Sequence, residues 1–133
     1  MKKKSNPQNG PSQRQLRVGE SFRHIIAETM TRGHFHDAIL LDVASKVTVT
    51  EVVPSPDLRQ ATAYVISLGG GDMEAILPAL NNNANVFQRD INSQSNLKFT
   101  PKVRFKEDTS FEKAQKLDAL LNTIEYSDQE ETE

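Results

Sequence analysis

The chain has no cysteine, no tryptophan, only two tyrosines and no long apolar run. Without cysteine there is no disulfide framework, no thiolate-ligated zinc and no thiol nucleophile, and a reducing compartment such as the cytoplasm is the expected location. No stretch approaches the ~18 apolar residues of a membrane helix. The basic start Lys2-Lys3-Lys4 runs into Ser5-Asn6-Pro7-Gln8 instead of an apolar leader, so neither export nor insertion is expected. Catalytic groupings are equally scarce. His34-Phe35-His36-Asp37 is the one cluster of potential metal ligands, but an H-x-H pair needs at least one more distant partner, His24 is the only other histidine, and the segment reads more simply as a polar loop after a helix, so no metal is expected. Gly69-Gly70-Gly71 lacks the Gly-Lys-Ser/Thr ending of a phosphate loop and reads as a strand-to-helix turn. No nucleophile elbow and no assignable carboxylate pair is present, so the chain is not read as an enzyme, and neither a cofactor nor a small-molecule substrate is expected.

What is present suits one domain of 133 residues with polar ends. The segments 1–11 and 125–133 hold almost no aliphatic residues and are read as a disordered basic and a disordered acidic tail around a folded unit over 12–124. The net charge of -2 conceals an uneven distribution. Glu125, Asp128, Glu130, Glu131 and Glu133 account for five of the 18 acidic residues, which leaves 16 basic against 13 acidic residues in the body. Residues 1–32 and 89–106 sum to +5 and +4. Each of these runs is compatible with ordinary solvated charge, and two together favour a polyanionic partner.

Ser12-x-x-Gln15 has the form of a capping box, and Val18, Phe22, Ile25/Ile26 and Met30 follow at helical spacing, so a helix is predicted from Ser12 to Gly33. The segment 34–45 is open between strand and helix. Val47–Val53 and Ala61–Leu68 are β-branched runs separated by Pro54-Ser55-Pro56-Asp57, which predicts an antiparallel hairpin. Asp72 is the predicted cap of a helix whose apolar positions run Leu77, Leu80, Ala84, Phe87 and Ile91. Pro78 and Asn81-Asn82-Asn83-Ala84-Asn85 predict a kink within it. Leu97, Phe99, Val103 and Phe105 alternate with Lys98, Thr100, Lys102, Arg104 and Lys106, a third strand with one apolar and one basic face. Thr109-x-x-Glu112 opens a last helix with Phe111, Ala114, Leu117, Leu120/Leu121 and Ile124 as its stripe. Phe22, Phe87, Phe99, Phe105 and Phe111 are read as core. An α+β layer is expected, a three-stranded sheet covered by helices on one face, with the basic side chains of the third strand on the open one.

The order α-β-β-α-(kink)-α-β-α resembles a type II KH-like fold. The segment from Glu51 to Val65, with Glu51-Val52, Ser55-x-Asp57-Leu58 and Ala61-x-Ala63-Tyr64, resembles the hairpin signature of the ribosome-binding factor A family. An Arg-rich first helix, Ala79-Leu80 and Leu97-x-Phe99-x-Pro101-x-Val103-x-Phe105 agree with it in order and spacing over about Ser12 to Ile124. In that family an Ala-x-Gly interhelical kink replaces the KH glycine loop; the matching position is Asn83-Ala84-Asn85, which departs at both ends. The resemblance implies a monomer that binds the immature small ribosomal subunit and its rRNA and promotes late rRNA maturation. Arg14, Arg17, Arg23, Asn83, Ala84, Asn85, Arg89, Lys98, Lys102 and Arg104 are the candidate RNA-binding residues. With so few free aromatics, contacts mainly to phosphate and ribose are expected. The alternative is a protein-interaction module acting through the last helix and the acidic tail.

Overall fold

A computed structural model of the chain describes residues 10–32, 35–68, 72–110 and 113–122. The expected tails at 1–11 and 125–133 lie outside these residues, apart from Gly10 and Pro11. The order is α1 (Gln13–Arg32), α2 (Ala38–Val43) with a 3₁₀ turn (Ala44–Lys46), β1 (Val47–Pro54), β2 (Gln60–Ser67), α3 (Met73–Asn82), α4 (Ala84–Gln94) and β3 (Lys102–Glu107). Helical residues 113–122 follow (α5). The fold is α+β and KH-like.

The predicted capping box forms at α1: the Gln15 N–H donates to Ser12 Oγ at 3.1 Å, and the Ser12 N–H donates to Gln15 Oε1 at 3.0 Å. Asp72 caps α3 by accepting from the Glu74 N–H at 3.0 Å. The open segment 34–45 resolves as α2, because Asp37 accepts from the Ile39 and Leu40 N–H groups and so starts a helical turn.

β1 and β2 form the expected antiparallel hairpin, and β2 pairs with β3 in parallel, giving a mixed sheet in the order β1-β2-β3. A bulge lies between Val49 and Glu51. It leaves Thr50 unpaired and keeps Val47, Val49 and Val52 all facing inward, where an uninterrupted alternation would have turned Val52 outward. In the turn, Ser55 Oγ bonds Asp57 Oδ1 at 2.7 Å, and the same oxygen accepts from the Arg59 N–H at 3.1 Å. Leu58 takes a left-handed φ of 61° and is buried. The Ser-x-Asp-Leu signature is thus a turn device: two polar side chains fix the loop, and burial of Leu58 offsets roughly 1–3 kcal/mol of backbone strain.

Phe22, Ile25, Ile26 and Met30 of α1, the inward residues of the strands, and Ile76, Leu80, Phe87 and Ile91 of α3 and α4 make one core on a single side of the sheet. α1 crosses β1 at Gly19, where a Cβ would overlap the Val52 carbonyl oxygen and lie 3.1 Å from Pro54 Cδ. Among the described residues β3 pairs with one strand, and helix side chains occupy its other edge. The Val103 N–H donates to Gln88 Oε1 at 2.9 Å. Asn81 both accepts from the Phe105 N–H at 2.8 Å and donates to the Phe105 carbonyl at 3.2 Å. Asn81→Ala is therefore expected to cost about 1–3 kcal/mol, because both groups lose their partner. Hydrogen exchange at the Phe105 amide should accelerate; an unchanged rate would show that water replaces the side chain without loss.

Two expectations are corrected. The third strand begins at Lys102, not Leu97, because buried Pro101 has no N–H to pair. Phe99 then escapes the core and is 49% exposed. The last helix forms, but Leu117, Leu120 and Leu121 are exposed, so among the described residues its stripe does not join the core. Phe111, Glu112 and Ile124 lie outside the described residues.

Candidate nucleic-acid interface

β3 carries its basic residues by alternation. Val103 and Phe105 are buried, so Lys102, Arg104 and Lys106 must point to the other face, and all three are exposed. Two residues of strand separate neighbours by roughly 6.6 Å, close to the spacing of successive phosphates in a nucleic-acid strand. Their register partners on β2 are Gln60, Thr62 and Tyr64, which carry no formal charge. Among the described residues none of the three cations joins an ion pair. With Gln60, Thr62 and Gln88 they line a hollow of about 580 Å³ that reaches the outer edge of β3, where Gln88 bonds the strand.

The interhelical break lies beside that edge. α3 ends at Asn82, and Asn83 interrupts the helix with φ -111° and ψ 21° before α4 starts at Ala84. The kink therefore sits at the first residue of the predicted motif and needs no left-handed residue; Asn85 is already helical. Asn83 holds the break closed by donating from Nδ2 to the Ala79 carbonyl at 2.8 Å. Asn81 and Gln88 flank the break and both bond β3, so two amides tie the kink to the strand. Gln88, Asn92, Asn85 and Arg89 then follow one another round roughly 100° of α4, and the last three are exposed. Of the predicted residues, Lys102 and Arg104 line the hollow together with Gln88, while Asn83, Ala84, Asn85 and Arg89 lie at and after the break, which Asn81 and Gln88 tie to β3.

Lys98 is not on the sheet face, since strand pairing has not begun. It lies with Phe99 and Arg59 at the start of β3: the Arg59 guanidinium carbon is 4.2 Å from the Phe99 ring centroid and Lys98 Nζ is 5.8 Å from it. The Lys102 N–H donates to the Arg59 carbonyl at 2.9 Å, joining this cluster to the basic row. Sequence reasoning missed Arg59, and it missed Gln88 and Asn81 as the groups that position the kink. The asparagine run was a signal, but a helix-breaking composition does not reveal which strand its side chains will bond.

The α1 arginines stand elsewhere. Arg14 and Arg17 are exposed on α1, and among the described residues none of α1 lines the hollow beside Lys102 and Arg104. Arg23 is committed to Glu20, with Nε to Oε1 at 3.2 Å, and its guanidinium hydrogen bond holds the Glu20 carboxyl below its ordinary pKa. Among the described residues no group of three or more His, Asp or Glu is placed to hold a metal ion.

The family model described as ribosome-binding factor A matches residues 14–121. A ribosome-binding factor A of Afipia carboxidovorans is 45% identical over 121 residues, covering 91% of this chain and 84% of that one. Among solved structures, that of a Thermotoga maritima protein proposed to be a ribosome-binding factor A is 25% identical with a TM-score of 0.61, covering 74% of this chain and 91% of that one. A homology model of the Thermus thermophilus factor, fitted into a cryo-electron-microscopy map of its 30S complex, shares the fold, with 16% identity and a TM-score of 0.52 over 68% of this chain and 91% of that one. With most of its length matched to that model and to a relative at this identity, the chain belongs to the ribosome-binding factor A family.

Proposed function

We propose that this chain is a monomeric, non-catalytic assembly factor of the cytoplasm that binds rRNA in the immature small ribosomal subunit and promotes its late maturation, without a cofactor. The observation that carries the reading is the unpaired row Lys102, Arg104 and Lys106 on a strand whose outer edge is bonded by Asn81 and Gln88, on either side of the interhelical break. Three cations at a strand's two-residue spacing, with uncharged partners beside them, suit phosphate better than a carboxylate-bearing or apolar surface. The relatives' name and the 30S complex of the Thermus thermophilus factor support the choice of subunit. Asn83, Ala84, Asn85, Arg89, Lys98, Lys102 and Arg104 form the primary surface in this proposal, and Arg14 and Arg17 a separate, peripheral one. Arg23 is the weakest member of the set because Glu20 already neutralises it.

Co-sedimentation with purified small and large subunits tests this. Binding to small subunits alone, weakening steeply as salt rises, is the expected result. Equal binding to both subunits would remove the subunit assignment. The exposed leucines of α5 favour a second reading, docking of a protein through that helix. Retention on the subunit at high salt, abolished by replacing Leu117 and Leu121 with serine, would support this reading over the first.

A further inference from the structure

We propose that Phe99 and Arg59 form a stacking platform for one unpaired RNA base, at the point where the basic row of β3 begins. The inference rests on the rRNA-binding reading above and adds a contact of a different kind. Phe99 is 49% exposed, in a protein whose Phe22, Phe35, Phe87 and Phe105 are all buried. Arg59 lies over one face of the ring. That guanidinium and the open part of the ring offer flat surfaces of the two types on which unstacked bases settle. The charge around the platform suits the rest of a nucleotide. Lys98 approaches the same ring. Lys102, tied through its N–H to the Arg59 carbonyl, starts the exposed row that continues to Arg104 and Lys106. Asp57 Oδ1 accepts from the Ser55 hydroxyl and the Arg59 N–H, and these bonds, with a smaller contribution from the Arg59 charge, hold its carboxyl below the ordinary range; among the described residues no ion pair joins it to the Arg59 guanidinium.

The ring is held in place and is not an accident of a loose segment. Pro101 behind it is fully buried, and Thr100 next to it donates to Asn92 Oδ1 on α4 at 2.8 Å. A strand carrying its phosphates along β3 would thus meet a fixed, half-open aromatic surface at one end. A surface cation–aromatic pair without a ligand would contribute only about 0.5–1 kcal/mol to folding. The two roles therefore differ in what they predict for binding.

The test uses the full chain, intact small subunits and a naked small-subunit rRNA, with affinity measured across a salt series. The variants are Phe99→Ala, Phe99→Leu, Phe99→Trp and the triple Lys102→Ala/Arg104→Ala/Lys106→Ala. Phe99→Leu retains apolar bulk, so it keeps the test valid if alanine loosens the segment. Phe99→Ala and Phe99→Leu are expected to weaken binding to both targets by about 5- to 150-fold with an unchanged salt slope, since no phosphate contact is lost. Phe99→Trp should bind at least as tightly as the parent. If Phe99→Leu binds normally while the charge triple is impaired, the platform is wrong and the phosphate-binding row stands. If neither variant changes binding, the whole interface has been misplaced. If Phe99→Leu loses subunit binding but binds naked rRNA normally, the ring docks a protein, and the base platform is overturned.

Discussion

Alanine at position 19 is expected to destabilise the protein by about 2–3 kcal/mol, although helix propensity alone favours it over glycine by up to about 1 kcal/mol. Gly19 lies in the interior of α1, where glycine is a poor choice unless something requires it. The requirement is the approach of α1 to β1: an added methyl would lie well inside contact distance of the Val52 carbonyl oxygen and 3.1 Å from Pro54 Cδ. A carbonyl in a paired strand cannot rotate aside as a flexible side chain can. α1 must lift instead, and it carries Phe22, Ile25 and Ile26, all at most 6% exposed. Overpacking then outweighs the propensity gain. The melting temperature of Gly19→Ala should fall by roughly 10 °C or more. A higher melting temperature would mean that the helix and strand do not approach so closely.

Removing the three outward cations of β3 should have the largest effect on binding. Each phosphate contact contributes about 0.7–0.9 to the slope of log affinity against log salt, so the triple variant Lys102→Ala/Arg104→Ala/Lys106→Ala should lower that slope by roughly 2–3 and reduce affinity near physiological salt by roughly 100-fold. All three side chains are exposed, and the inward residues Val103 and Phe105 are untouched, so the melting curve should stay close to that of the parent. In cells, precursor small-subunit rRNA should accumulate. A folded triple variant with an unaltered slope would move the RNA surface away from β3, and the exposed arginines of α1 would be the next candidates.

Caps and strands were legible in the sequence because they depend on neighbours. Ser12 and Gln15, or Asp72 and Glu74, satisfy each other within one helical turn, and the hairpin follows from two β-branched runs with a turn between them. What depends on distant partners was not. The alternation from Leu97 to Lys106 suits a single strand, yet Pro101 delays pairing and frees Phe99 for Arg59, a residue 40 positions earlier in the numbering. The kink was visible as a run of asparagines, but its attachment through Asn81 and Gln88 to β3 was not, since nothing local marks an amide that will bond a strand edge. Alternation and resemblance located part of the candidate surface: Lys102 and Arg104 project as expected, and Asn83 breaks the helix. Arg14, Arg17 and Arg23 could not be located by charge counting, which has no information about the layer in which a helix will lie.

The parallel pairing of β2 with β3 also sets an order of events as the chain folds. β1 and β2 are joined by a tight turn and can pair as soon as both exist, on the microsecond scale of hairpins. β3 must wait until the whole crossover through α3 and α4 has been made, because a parallel neighbour is reached only by a long return. Until then the β2 edge, with Ala61, Ala63 and Val65 uncovered, is open to other strands. The helices of the crossover carry Asn81 and Gln88, the side chains that later occupy the far edge of β3. Arrival of β3 therefore closes two edges at once, its own and that of β2, and the interval before it arrives is when a newly synthesised chain is most exposed to aggregation.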